Sequence, residues 1–408
     1  MPKNIYSAYT DRPRIIYLKD ETERESLKIR PDGGVLFITS PKHDLPFRSI
    51  IVPKENIFDL LLPTFYGLLE DLVPGSEIAE MFQKEWEHFQ ELETKSLDYT
   101  NAVWVYYPRK NHLVKYAPVY WHRLSLLVRN STLQRDEALI MDWQEIRNIF
   151  ESATVAIAGC SLGGNVAHAI AGDMRPGHIK IADQKSFHMS NANRIKINYE
   201  EIGRNKATVI AEQIHSIDPF ANISTYTDGL WEGNLSDFID GGQDVAEPKT
   251  TVIVEEVDDI EMKLLIREKA RQSRIPVIMV SDIGSAVQLD VRRFDRDPNL
   301  SLAFQGVSDD ELYKIRDEWR TDPSRDKFFN FFLTMVGKSC LKVPEFKRIL
   351  LKEDEPVFGG APQLGSTAMM AGGVASEAVA RILLGYELPE RMFINKHTGE
   401  VIIEGKHI

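Results

Sequence analysis

Residues Thr154–Arg194 read TVAIAGCSLGGNVAHAIAGDMRPGHIKIADQKSFHMSNANR, and the fold turns on this stretch. Its apolar run Val155-Ala156-Ile157-Ala158 is short enough for a buried parallel strand. A turn of small residues follows, Gly159-Cys160-Ser161-Leu162-Gly163-Gly164, and then a helical repeat at Val166, Ala167, Ile170 and Ala171. Ile179-Lys180-Ile181-Ala182 predicts a second strand that ends at Asp183. A strand, a glycine turn, a helix, a strand and an acid, in that order, suit a nucleotide. Glycines let the backbone approach phosphate, the helix N-terminus offers free N–H donors, and the acid takes a ribose hydroxyl. Ser161 stands where G-x-G-x-x-G has its middle glycine, so the turn alone also fits a βα connection with no ligand.

The residues after Asp183 narrow the reading. Ser190-Asn191-Ala192-Asn193-Arg194 precedes Gly203-Arg204-Asn205-Lys206. Amides, a guanidinium and an ammonium in that order would surround a triphosphate with donors and positive charge. A domain for hydride transfer has no use for such a cluster. Here the chain resembles the ThiF/MoeB/E1-like adenylating superfamily, in which an SNxxR motif follows the ribose acid. In that family a lysine opens the next helix and an aspartate follows a later strand. Lys206 and Asp258, in VIVEEVDD, match. The resemblance covers about residues 119–290 and returns at Pro362-Gln363-Leu364-Gly365 and the small-residue helix after it.

The resemblance implies a site. ATP would lie over Gly159, Ser161, Gly163 and Gly164, with its ribose on Asp183. Asn191, Asn193 and Arg194 would join it, the last two on phosphate oxygens, and Lys206 would stabilise charge at the α-phosphate. Asp258 would carry Mg²⁺, a hard ion suited to carboxylate oxygen, with Asp259, Glu255 and Glu256 as neighbouring candidates. The catalytic set is Arg194, Lys206, Asp258 and Arg123. Arg123 matches the family arginine that reaches from one subunit toward the partner's triphosphate; Arg129 competes for that place.

Composition bounds the class. At 408 residues the chain can hold two or three domains, and 43% hydrophobic with 27% charged residues is ordinary for a globular protein. A net charge of −12 argues against extended binding to nucleic acid but leaves room for a local ATP pocket. Cys160 and Cys340 are the two cysteines, which fits a reducing cytoplasm and excludes the family's four-cysteine zinc site. Cys160 reads as a packed small residue, and Cys340 as outside the usual thioester position. No apolar run approaches membrane-spanning length, and MPKNIYSAYTDRPR lacks a signal-peptide core.

Taken in order, residues 1–100 predict strands near Ile15–Leu18, Gly34–Ile38 and Arg48–Val52. Helices come next at Ile57–Leu69 and Glu77–Leu97. This layout resembles the small winged-helix-like module with which peptide-modifying enzymes bind a leader peptide by strand addition. A cap or dimerisation extension is the competing reading. Residues 101–118 read as a packed connector, and residues 119–408 as the adenylation domain. There, strands alternating with helices predict an α/β, doubly wound, mostly parallel, Rossmann-like sheet, with a terminal hairpin at Arg391–Ile408.

The expectation is a cytoplasmic, homodimeric, ATP-dependent adenylyltransferase that uses Mg²⁺ and no zinc. By resemblance to peptide-modifying members, its substrate would be a precursor peptide. Activated glutamate side chains would condense internally, as in pantocin-type antibiotic biosynthesis. A sulfur-carrier activator of ThiF/MoeB type and a non-catalytic, leader-binding scaffold are the alternatives.

Overall fold

Alternating apolar runs and small-residue turns build two separate units. The computed structural model describes six short strands before residue 117, then residues 143–218, 221–242, 247–304, 306–350 and 363–407. One unit comprises Tyr9–Leu124 and His215–Phe220; the other comprises Met1–Ala8, Ser125–Ile214 and Ala221–Ile408.

The N-terminal strands are β1 (Arg14–Tyr17), β2 (Gly34–Ile38), β3 (Ser49–Pro53), β4 (Glu77–Glu80), β5 (Val103–Tyr107) and β6 (His112–Tyr116). Four form a sheet in the order β1-β5-β6-β4, and β2 and β3 form an antiparallel pair. Two differences from the expected layout stand out. Glu77 opens a strand, not a helix: Ile78 pairs with Leu113 in a parallel ladder. A partner strand outweighs the weak helix preference of four residues. The stretch expected as a connector contains β5 and β6, whose β-branched and aromatic residues, VWVYY and HLVKY, pair antiparallel. The expected helix at 57–69, residues 81–97, Arg123 and Arg129 lie outside the described residues.

The second unit carries an eight-stranded sheet. Its elements are α1 (Trp143–Ser152), β7 (Thr154–Ala158), α2 (Gly163–Asp173), β8 (His178–Ala182), α3 (Lys206–Ile217), β9 (Ile223–Tyr226), α4 (Glu232–Asp240) and β10 (Val252–Glu255). Then come α5 (Ile260–Gln272), β11 (Val277–Ile283), β12 (Ala286–Arg292), α6 (Asp309–Thr321), α7 (Arg325–Val336), α8 (Pro344–Leu350), α9 (Gly365–Leu383), β13 (Pro389–Asn395) and β14 (Glu400–His407). Strand order is β14-β13-β12-β11-β10-β7-β8-β9. The five strands from β11 to β9 are parallel, and β12, β13 and β14 add on antiparallel. The mostly parallel sheet and the terminal hairpin are as expected; β12 was not anticipated. Its AVQLDVR hides polar residues in the core. Arg391 pairs with Asp290 at 2.5 Å and lies over the Phe304 ring, and Arg292 pairs with Glu390 at 3.3 Å.

Strand side chains alternate between faces. Ala156, Ala158, Ile253 and Val277 join one cluster with Phe238 of α4, Leu264 of α5, Leu312 of α6 and Phe331 of α7. On β7, Ile157 faces the opposite way and meets α2, where a Cβ on Gly163 would come 3.0 Å from its Cγ2. The small residues of α9 serve close packing against α2. A Cβ on Gly372 would lie 2.8 Å from the Asn165 carbonyl oxygen, whereas one on Gly373 would meet nothing within 4 Å.

That contrast yields a prediction. Gly372→Ala lowers stability by about 1–3 kcal/mol, because backbone must shift to admit a methyl group. Gly373→Ala, on the exposed side of the same helix, raises it by up to about 1 kcal/mol through helix propensity. Thermal unfolding of the two variants checks both signs.

Candidate functional site

In an open parallel sheet, ligands bind beyond the carboxyl ends of the strands, where strand order reverses. Here the reversal falls at β7, which has β8 on one side and β10 on the other. Ala158 is in register with Ala182 and with Glu255, so Gly159, Asp183 and Glu256 emerge side by side.

Gly159 makes the turn possible. Its φ is +93°, and a Cβ there would come 2.5 Å from the Glu256 carbonyl oxygen. Only glycine suits both the left-handed backbone and that approach. The next amide, of Cys160, donates to Asp183 Oδ2 at 2.8 Å, and the Lys185 amide donates to Oδ1 at 2.7 Å. A carboxylate accepts about four hydrogen bonds, so among the described residues two acceptor positions on half-buried Asp183 stay open. Among the described residues no side chain caps α2, and its first turn holds no acid. The Gly163 and Gly164 amides are thus oriented for an anion.

The SNANR segment folds over this turn. Arg194 Nε and Nη2 each donate to Ser161 Oγ at 3.3 Å, and Nη1 donates to the Ser190 carbonyl and to Asn193 Oδ1. Asn165 Nδ2 donates to the Arg194 carbonyl at 3.0 Å. Burial lowers the Arg194 pKa, while Asp282 and Asp258 oppose the shift. Asn193 Nδ2 donates to the Gln363 carbonyl at 3.0 Å, which ties the segment to the start of α9. Asn191 is buried and its Oδ1 accepts from the His188 amide at 2.9 Å, so that oxygen holds its own turn.

Lys206 opens α3 as expected and is only 5% exposed. Burial lowers its pKa, offset by Asp183 and by Cys160. Its Nζ lies 5.8 Å from the centre of the Phe187 ring and makes no hydrogen bond or ion pair among the described residues.

The four acids at the end of β10 and just after it separate by environment. Glu255 is fully buried and pairs with Lys263 at 2.6 Å and Arg267 at 3.0 Å. Glu256 Oε1 accepts from the Val280 amide at 2.7 Å, and burial pushes its carboxyl well up. Asp259 caps α5, accepting from the Met262 amide at 2.8 Å. Asp258 is exposed, with Lys185 Nζ 3.6 Å away. Mg²⁺ keeps most of its waters and takes one or two carboxylates plus phosphate oxygens. Asp258 suits that ion; Glu255 does not. Among the described residues no three His, Cys, Asp or Glu side chains gather as a metal cage.

Asp282, to which sequence reasoning assigned no role, lies at the end of β11. It is 8% exposed, and among the described residues its carboxylate has one hydrogen-bonding neighbour, the Leu364 backbone at the start of α9. Burial raises its pKa to about 7 against the pull of the Leu364 backbone, Arg194 and Lys396. Both thiols are buried: burial holds Cys160 well up and Cys340 at about 11.

The pattern of the ThiF family matches residues 136–401. An uncharacterized protein of Mycobacterium tuberculosis, MT1398, is 26% identical over 289 residues, or 70% of this chain. The match spans only 36% of that relative's length. Among solved structures, PaaA superposes with a TM-score of 0.50 at 15% identity, covering 70% of this chain and 84% of its own. Escherichia coli MccB, crystallised with AMPCPP and MccA, gives a TM-score of 0.46 at 13% identity, covering 93% and 94%.

The acid cluster yields a second prediction. Glu255→Ala leaves Lys263 and Arg267 charged and unpaired in the core and costs about 3–5 kcal/mol. Asp258→Ala, at the surface, changes stability by less than about 0.5 kcal/mol. Denaturant unfolding of the two variants separates the structural acid from the one left for a ligand.

Proposed function

The chain belongs to the ThiF family, and from that premise we propose that it uses ATP to adenylate a carboxylate. One observation carries the reading. Half-buried Arg194 and buried Lys206 flank the Gly159 turn, and among the described residues the ammonium pairs with no protein anion. Two cations held beside uncapped helix amides suit an anionic ligand, and a triphosphate supplies one.

In this mechanism a substrate carboxylate oxygen attacks the α-phosphorus. The bond from that phosphorus to the bridging oxygen breaks, and pyrophosphate leaves with the electron pair. The protein holds the reactants in line and offsets charge as it moves. Asp183 orients the ribose, Arg194 and Asn193 hold phosphate oxygens, and Lys206 meets charge building on the α-phosphate. Asp258 would hold Mg²⁺, which neutralises phosphate charge when bound. Arg123 is proposed to reach the triphosphate of a partner subunit. Exposed Met189, Leu364 and Met369 offer apolar surface for such a homodimer, on the two segments that Asn193 joins.

For the acyl substrate we infer a peptide, with glutamate side chains as the activated carboxylates. The support is the strand-rich N-terminal unit, where β1 and β4 are the edges of the four-stranded sheet. An edge strand offers unpaired backbone groups to an extended leader peptide.

ATP–pyrophosphate exchange tests both levels, with peptides encoded by small reading frames beside the gene as acyl donors. The expected result is peptide-dependent exchange, lowered about 10²–10³-fold in kcat/KM by Arg194→Ala or Lys206→Ala. Nucleotide binding without peptide-dependent exchange would remove the peptide reading. Absence of nucleotide binding would remove adenylation as well.

A further inference from the structure

We propose that Asp282 is a positioning residue of the triphosphate site, balancing Arg194 in the free protein and taking up a proton when a triphosphate claims that guanidinium. The inference rests on the reading of this site as a triphosphate site.

The start of α9 brings the two residues together. Asn193 is bonded to the Gln363 carbonyl, and a Cβ on Gly365 would lie 3.7 Å from Arg194 Cα. Two residues further, Thr367 Oγ1 donates to the Gly284 carbonyl at 2.6 Å, just beyond Asp282 on the strand end. Arg194 and Asp282 therefore flank the same short segment. Among the described residues the hydrogen-bond partners of Arg194 are all uncharged: Ser161, Asn193 and the Ser190 carbonyl. Its charge is balanced at longer range by Asp282 and Asp258.

A carboxylate buried to this depth, with the Leu364 backbone as its one hydrogen-bonding neighbour among the described residues, is costly and calls for a reason. Three groups face Asp282: Arg194 from the SNANR segment, Lys396 from the end of β13, and the Leu364 backbone at the cap of α9. Lys396 is itself bonded to Ser366 Oγ. A triphosphate on Arg194 would neutralise the strongest of these cations and add negative charge nearby. Both changes favour the protonated carboxyl. The proton comes from solvent and goes to Asp282 Oδ; no other bond changes.

The sign is set by linkage. In the free protein the carboxyl titrates at about 7, and in the complex it titrates higher. Nucleotide affinity is then flat at low pH and weakens as pH rises through 7, by about fivefold between pH 7 and pH 8. Proton uptake on binding is up to about half a proton at pH 7 and close to one at pH 8.

The test is isothermal titration of Mg²⁺ and α,β-methylene-ATP into the full chain at both pH values. Two buffers of different ionisation enthalpy are used at each pH, so the heat difference counts protons. Wild type should show the uptake and the fivefold loss. Asp282→Asn and Asp282→Ala should bind with neither, and either variant suffices if the other does not fold. Binding by wild type with no buffer-dependent heat, or equal uptake in a folded variant, overturns the proposal. Absence of wild-type binding overturns the nucleotide reading, and this inference with it.

Discussion

The hydrogen bond from the Cys160 amide to Asp183, 2.8 Å long, is the constraint on which the site depends. It closes the first βα turn against the end of the next strand. The bond forms because Gly159 holds φ at +93° where a Cβ would collide with the Glu256 carbonyl. One left-handed residue thus sets three strand ends at a common level. Ser161 then faces outward, where Arg194 reaches it, and α2 begins with bare amides. A larger residue at 159 would separate β7 from β10 before it disturbed any ligand contact.

The polar side chains around this turn fall into two groups. Asp259, Glu255 and the Asn191 oxygen are engaged by protein: a helix N-terminus, two cations and the His188 amide. Asp183, Arg194 and Lys206 keep capacity in reserve. Keeping a cation like Lys206 buried beside an aromatic ring lowers its pKa and costs stability. Natural proteins hold such a cost where function uses it.

Sequence discloses what is local. β7 was legible as a short apolar run and the other parallel strands as short, mainly β-branched runs between turns, and the glycine turn because small residues are adjacent. Arg194 and Lys206 were legible by resemblance in spacing. β12 was not, because Gln288, Asp290 and Arg292 give it a surface-like alternation. Their burial is compensated by Arg391, Glu390 and the Phe304 ring, about a hundred residues away for the first two. Glu77–Glu80 was misread because its partner strand is remote as well. The EEVDD cluster shows the limit most clearly. Five adjacent positions carry four carboxylates, and only tertiary context divides them into an ion pair, an amide acceptor, an exposed acid and a cap. Asp282 had no local signal at all; its interest lies in its burial among groups remote in sequence.

The two cysteines bear on the fate of an acyl adenylate. Cys160 is enclosed in the turn, its Sγ 3.9 Å from the Ala182 carbonyl, and burial suppresses its thiolate. Cys340 sits in a short 3-10 turn with its Sγ 3.0 Å from the Gly337 carbonyl, also far from thiolate character at neutral pH. A thiol in either state is a poor nucleophile. Under the proposed reading, the acyl group would therefore pass from the adenylate to a nucleophile other than these two. That nucleophile would attack the acyl carbon, and the bond to the phosphate oxygen would break with AMP leaving. Such a transfer needs the acyl adenylate shielded from water and its acceptor held close. An internal nucleophile of the same substrate meets the second need, since it arrives already tethered to the carboxylate being activated.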